Sequence, residues 1–332
     1  MKITFFYQKP SRDRFSMMKV FDTVRKFLPA EVEGKVYIPK YVSKGILPRI
    51  YDIIEVAFHQ GDINHITGDV HFLSYLLKKN KTVLTIHDCV HLHSKIPRIS
   101  KIIISIFWYI IPLRRAAYIT TISEASKKEI AVFYKYDPDK IVVIPNPISP
   151  DFFYSKKIFN EREPIILQIG TAPNKNLFNL FKALKGVSCH LHLVGHLDDN
   201  YIKALGESKI KYTNFTNLTD SQIVQRYQEC DLVSFISNYE GFGVPIIEAN
   251  AVGRPVVTSN ISPLTEVADN AACFVDPYNI ESMREGILKV IKDKTYQDIL
   301  IKNGQINAKR FSPQNISDQY MKLYKQIILD NR

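Results

Sequence analysis

At 332 residues, 45% hydrophobic and 23% charged, the chain has a globular composition and room for two domains that each bury a core without staples. Its four cysteines (Cys89, Cys189, Cys230, Cys273) include no C-x-x-C pair, which excludes zinc-ribbon spacing and a disulfide frame and fits buried thiols in a reducing cytoplasm. The net charge of +11 is uneven: residues 1–150 carry 23 Lys and Arg against 13 Asp and Glu, and residues 151–332 carry 21 against 20, so the N-terminal half is expected to meet something anionic.

The chain begins with a short apolar run over residues 3–7, too short for a signal peptide and read as a first strand. The loop after it, Gln8-Lys-Pro-Ser-Arg-Asp-Arg-Phe-Ser16, holds Arg12 and Arg14 and no glycine. A helix is expected over 16–27. His65-Ile-Thr-Gly-Asp-Val-His71 reads as a strand-end loop, and a strand over 83–86 ends in Ile86-His-Asp-Cys89. The longest apolar run, Ile102 to Leu113, falls short of the roughly 20 residues that span a bilayer. It holds the only tryptophan, Trp108, and is flanked by Lys95, Arg98, Lys101, Arg114 and Arg115. That pattern fits a core helix with basic ends, or a helix lying at an anionic membrane surface.

Further strands are expected over 118–122 and 141–144, with a helix over 123–134 between them. The stretch 145–164, with three early prolines and no clean period, reads as a linker. Alternation then resumes: strands over 165–169, 190–194, 232–236, 255–258 and 272–275, a helix over 176–184, and a last helix over about 313–329. Short β-branched runs alternating with helices predict an α/β fold with parallel strands buried on both faces. The domains are therefore read as 1–150, a linker over 151–164, and 165–312. Residues 313–332 form a C-terminal helix that is a candidate for packing back on the first domain.

The chemistry concentrates in Asn238-Tyr-Glu-Gly-Phe-Gly-Val-Pro-Ile-Ile-Glu248. Gly241 and Gly243 lie between a strand and a helix beginning near Pro245, with Phe242 and Val244 beside them. Glycines let backbone amides approach a ligand, and a helix N-terminus with unpaired donors suits a diphosphate. Glu240 precedes the glycines, where it can meet a sugar, and Glu248 lies one turn into the helix, where it can bind ribose hydroxyls. A second loop, Gly170-Thr-Ala-Pro-Asn-Lys175, places a cation at a strand end before a helix, suited to a leaving diphosphate.

The 238–257 segment resembles the E-x7-E donor signature of glycosyltransferase family 4. The resemblance extends to Thr120-Thr-Ile-Ser-Glu-Ala-Ser126, to Phe152 after Ile144-Pro-Asn, and to Leu218-Thr-Asp-Ser-Gln222 and Tyr227-Gln-Glu-Cys-Asp-Leu232. It implies two Rossmann-like domains facing across a cleft (GT-B type) and a retaining transfer from a nucleotide-diphosphate-sugar to a glycan or lipid-linked acceptor, with surface polysaccharide assembly as the expected setting. It implies donor binding by Gly170, Thr171, Asn174, Lys175, Gly241, Phe242, Gly243, Val244 and Glu248, and catalytic roles for Glu240 and His87. His65, Gly68, Asp69, Arg12 and Arg14 are candidates for the acceptor side. Where the family usually has Arg beside the lysine, this chain has Asn174, so a second cation must come from elsewhere or Lys175 works alone.

No metal or other cofactor is expected. Asp137-Pro-Asp139 matches a D-x-D motif literally but lies at a proline turn, where aspartates serve the turn. Nucleic acid is not an expected partner, since no helix-turn-helix, zinc-finger or RNP signature is present. Competing readings are a nucleotide-sugar epimerase of the same fold and a non-catalytic nucleotide-sugar-binding homologue. The absence of G-x-G-x-x-G after a strand argues against a dehydrogenase. The expected location is cytoplasmic, with the inner membrane face as a candidate surface.

Overall fold

The apolar runs form strands that all pair in parallel, six in each of two sheets. The computed structural model describes residues 1–9, 16–89 and 97–331. The chain divides into two units, Met1–Pro147 with Pro313–Arg332, and Ile148–Ser312.

In the first unit the strands are β1 (Lys2–Phe6), β2 (Glu33–Tyr37), β3 (Ile63–Ile66), β4 (Thr82–Ile86), β5 (Tyr118–Thr121) and β6 (Ile141–Val143), in the order β2-β1-β3-β4-β5-β6. The chain turns opposite ways from β1, so the switch point of the sheet falls between β1 and β3. Helices α1 (Ser16–Lys26), α2 (Ile46–Ala57), α3 (Arg98–Ile104), α4 (Ile111–Arg115) and α5 (Glu124–Tyr134) flank it. A π-helical turn over Ser105–Ile110 joins α3 to α4, so the long apolar run is one helical stretch. Ser123 caps α5 by accepting from the Ser126 amide at 3.2 Å.

The second unit orders its strands β12-β11-β10-β7-β8-β9, from β7 (Ile165–Ile169), β8 (His190–Val194), β9 (Lys211–Phe215), β10 (Leu232–Phe235), β11 (Val256–Ser259) and β12 (Cys273–Val275). Counted from β7 this is the 3-2-1-4-5-6 order of a Rossmann domain, with the switch point between β7 and β10. Its helices are α6 (Leu177–Leu184), α7 (Asp199–Ser208), α8 (Asp220–Glu229), α9 (Val244–Val252), α10 (Leu264–Ala268), α11 (Ile280–Lys292) and α12 (Lys294–Arg310).

The last helix, α13 (Pro313–Asp330), packs on the first unit. Its Ile316, Tyr320, Met321, Tyr324 and Ile327 share a core with Ile3, Phe5, Phe21 and Ile63. The expected linker is not a free tether. Lys157 pairs with buried Asp231 at 3.3 Å, whose carboxylate also accepts from the Asn160 and Ile165 amides, and the Ser155 amide donates to Val252. A stretch without regular structure thus has its polar groups met by the second unit.

Candidate functional site

Ligands of doubly wound sheets gather beyond the carboxyl ends of the strands at the switch point. In the second unit the loops after β7 and β10 carry the residues singled out in the sequence. Gly170 ends β7 at φ +86°, and a Cβ there would stand 3.0 Å from Cε of Lys175, so this glycine admits both the turn and the lysine stem. The loop closes in a single 3₁₀ turn, Pro173–Lys175. Asn176 follows in the left-handed region, and its side-chain amide donates to the Pro277 carbonyl at 2.7 Å.

Lys175 Nζ donates to Glu240 Oε1 at 2.6 Å, with the two side chains 17% and 14% exposed. The ammonium also lies 4.6 Å from the centre of the Phe235 ring, at the end of β10. Asn174 ties the two loops together: its amide donates to the Tyr239 carbonyl at 2.9 Å and to Glu240 Oε1 at 3.1 Å, while its own carbonyl accepts from the Asn238 amide. The Asn that replaces the usual Arg therefore orients Glu240. Thr171 lies against β8's end, where a Cβ on Gly195 would stand 2.8 Å from its methyl.

Gly243 is the N-cap of α9 at φ +114° and brings no side chain to the first-turn amides. A Cβ there would be 2.8 Å from Leu264. Pro245 occupies the first turn, where its missing N–H costs nothing. Val244 opens the helix, and Phe242 is buried edge-on against Phe311. A positive helix end thus adjoins the Lys175–Glu240 pair.

Glu248 is half-buried, and its Oε2 accepts from the Tyr227 hydroxyl at 2.6 Å. Tyr227 is fully buried, and burial beside Glu248 holds its phenol well above the ordinary value, so it is a fixed donor. Phe152 packs edge-on to the Tyr227 ring. Arg254, also buried, donates to the carbonyls of Tyr227 and Gln228, pinning the C-terminal end of α8. Tyr227 has no role that the sequence alone assigns. Its inward spacing with Val224 on α8 was the available signal, while its partner lies 21 residues away.

In the first unit the described residues just after β1, β3 and β4 lie against one another beside the switch point. Gly68 backs onto Gln8, whose Cβ would be 3.2 Å from an added methyl, and Asp69 follows half-buried. His87, half-buried at the end of β4, contacts the carbonyl of Thr67 through Nε2 at 3.0 Å. A carbonyl only accepts, so Nε2 carries the proton and Nδ1 is the acceptor nitrogen of the neutral ring. Burial lowers its pKa below the usual imidazole value.

His65 does not face an acceptor. Its ring is fully buried, with Nδ1 2.6 Å from the Tyr324 hydroxyl and Nε2 2.7 Å from Thr85 Oγ1, so it serves the docking of α13. Arg12 and Arg14 lie outside the described residues. Asp137 caps its own turn by accepting from the Asp139 amide at 3.0 Å, and no group of three or more metal-ligating side chains occurs among the described residues.

Two family models match the chain: "Glycosyltransferase Family 4" over residues 24–152 and "Glycosyl transferases group 1" over residues 151–307. The chain is 29% identical over 238 residues to the O-antigen chain mannosyltransferase B of Escherichia coli, covering 64% of this chain and 61% of that protein. It is 30% identical over 224 residues to the O-antigen chain mannosyltransferase RfbU of Salmonella typhimurium, covering 64% and 62%. The matches thus span about three-fifths of these relatives. Among solved structures, Anabaena HepE in complex with UDP superposes with a TM-score of 0.79 at 17% identity, covering 98% of this chain and 100% of that one. The superposition bears on the fold, which is that of GT-B proteins.

Proposed function

Since the chain belongs to glycosyltransferase family 4, we propose that it transfers a sugar, with retention of configuration, from a nucleotide-diphosphate-sugar to a glycan or lipid-linked acceptor in surface polysaccharide assembly. The observation that carries this reading is the Lys175–Glu240 pair at the β7/β10 switch point, beside the N-terminus of α9.

Charge develops on the diphosphate as the sugar leaves, and a fixed ammonium with a helix end is suited to hold it. Donor binding exchanges Lys175's partner from Glu240 to phosphate, which releases the Glu240 carboxylate toward the sugar. Glu248, oriented by Tyr227, takes the ribose hydroxyls. His87, neutral at physiological pH, is the first unit's candidate reacting group. The cationic work falls to Lys175, so the reaction is proposed to need no metal. The mannosyl and O-antigen assignments of the two relatives make a nucleotide-mannose the first donor to try. We also propose a cytoplasmic protein attached peripherally to the membrane.

The test is a thermal-stabilisation screen over nucleotide-sugars, followed by transfer assays with and without chelator. One donor class should raise the melting temperature of wild type and do so less for Lys175→Ala. The product should keep the donor's anomeric configuration by NMR, at a rate indifferent to chelator. A chain that no nucleotide-sugar stabilises would sink the reading.

A further inference from the structure

We propose that the outward face of α2 is the part of the first unit that docks on an anionic lipid bilayer, with the α3–α4 stretch beside it. The burial of α2 is inverted. Between Ile46 and Phe58 every exposed position is apolar: Ile46, Leu47, Ile50, Tyr51, Ile54 and Phe58. Ile46, Leu47 and Phe58 are 74%, 79% and 82% exposed. Ile46, Ile50, Ile54 and Phe58 recur every four residues and make one continuous stripe.

The helix's carboxylates turn the other way. Buried Asp52 accepts from the Tyr41 amide at 3.2 Å, and Glu55 from the Lys40 amide at 3.1 Å. A helix that faces water carries its charges outward. Single exposed apolar residues need no explanation, but a contiguous patch marks an interaction surface.

The α3–α4 stretch continues this surface. Ile99, Ile102, Ile103, Ile106 and Phe107 are exposed. The Arg49 guanidinium of α2 lies 4.5 Å over the Trp108 ring. Exposed cations accompany it: Lys40 lies 5.5 Å over the Tyr51 ring of α2, Lys9 donates to the Lys40 carbonyl, Lys44 precedes the helix, and Arg98 and Arg114 stand on α3 and α4. Arg115 is not among them, since it donates to the Leu77 carbonyl at 3.1 Å and is half-buried.

Charge decides the occupant. A second copy would bring these cations face to face, whereas anionic headgroups neutralise them while the acyl boundary takes the isoleucines. No helix among the described residues is long and apolar enough to cross a membrane, so the element lies in the interface plane. The inference rests on exposure and charge, not on sugar transfer. A chain that bound vesicles and transferred nothing would leave it intact.

The experiment is co-sedimentation of the full chain with phosphatidylglycerol-containing and pure phosphatidylcholine vesicles, at low and high salt. Wild type should bind the anionic vesicles and lose most binding at high salt. Substituting Ile46, Leu47 and Phe58, the most exposed of these side chains, together by Gln should weaken that binding at least tenfold with little change in the melt. Trp108, the only tryptophan, gives a readout that needs no variant: brominated lipid should quench its fluorescence. Wild-type binding by the α2 variant would overturn the assignment to α2. Absent quenching would remove the α3–α4 stretch from the docked surface, and no binding to anionic vesicles, or a dimer that the α2 substitutions dissociate without any vesicle binding, would overturn the proposal.

Discussion

Replacing Lys175 should weaken nucleotide binding, whereas replacing Glu240 should leave it unchanged or tighten it. The pair is 2.6 Å long and mostly shielded from water, so in the free protein Lys175 is held by a carboxylate that a diphosphate must displace. Lys175→Ala removes a charge-assisted contact to phosphate, about 1.5–3 kcal/mol, or roughly tenfold to 150-fold weaker binding of a nucleoside diphosphate. Glu240→Gln keeps an oxygen for the Nζ but removes the competing charge. It should leave binding of the same nucleotide unchanged or tighten it by about 0.5–1.5 kcal/mol, up to roughly tenfold, while sugar transfer falls. Calorimetric titration of both variants and the double variant reads this directly. If Glu240→Gln weakened the nucleotide as much as Lys175→Ala does, the idea of exchange between carboxylate and phosphate would be wrong.

Tyr227→Phe keeps the buried ring but removes the hydroxyl that orients Glu248, so donor KM should rise by about tenfold with kcat nearly unchanged; a kcat loss alone would assign Glu248 differently. Deleting α13 exposes Ile3, Phe5, Phe21 and Ile63, so the truncated chain should lose the cooperative melt of its first unit and keep that of the second, as followed by hydrogen exchange. Burial, with a smaller contribution from His87, pushes the His65 pKa down to about 3, so the folded ring stays neutral where the unfolded one takes up a proton. Its contribution to stability is complete above about pH 6.5 and declines below that towards pH 3, by about 1.4 kcal/mol per pH unit. His65→Gln should flatten that slope in denaturant titrations between pH 5 and 7, and an unaltered slope would show that His65 does not set it.

The sequence made nine of the twelve described strands legible and left β2, β3 and β9 dark, the edge strands β2 and β9 for one physical reason. β4 and β10 are buried along their whole length and read as apolar runs. β2 and β9 stand at sheet edges, half-exposed, with sequences Glu33-Gly-Lys-Val-Tyr and Lys211-Tyr-Thr-Asn-Phe that show no such run. α2 was obscured because its outer face is as apolar as its inner one, which erases the helical alternation. At the site, Gly243 and Pro245 were readable from local rules of helix initiation. The pairing of Lys175 with Glu240, 65 residues apart, and of Tyr227 with Glu248 depends on which strands become neighbours, and no local pattern encodes that. His65 looked like a strand-end ligand because its strand does end at a switch point. Its side chain alternates to the face that α13 covers.

The most direct measurement is a crystal structure of the chain with a nucleoside diphosphate. The diphosphate should lie against the first turn of α9, within hydrogen-bond reach of Lys175 Nζ, with Glu248 on the ribose and the Lys175–Glu240 contact broken. A nucleotide bound in the first unit, or one in the second unit that left the 2.6 Å Lys175–Glu240 contact intact, would contradict this placement.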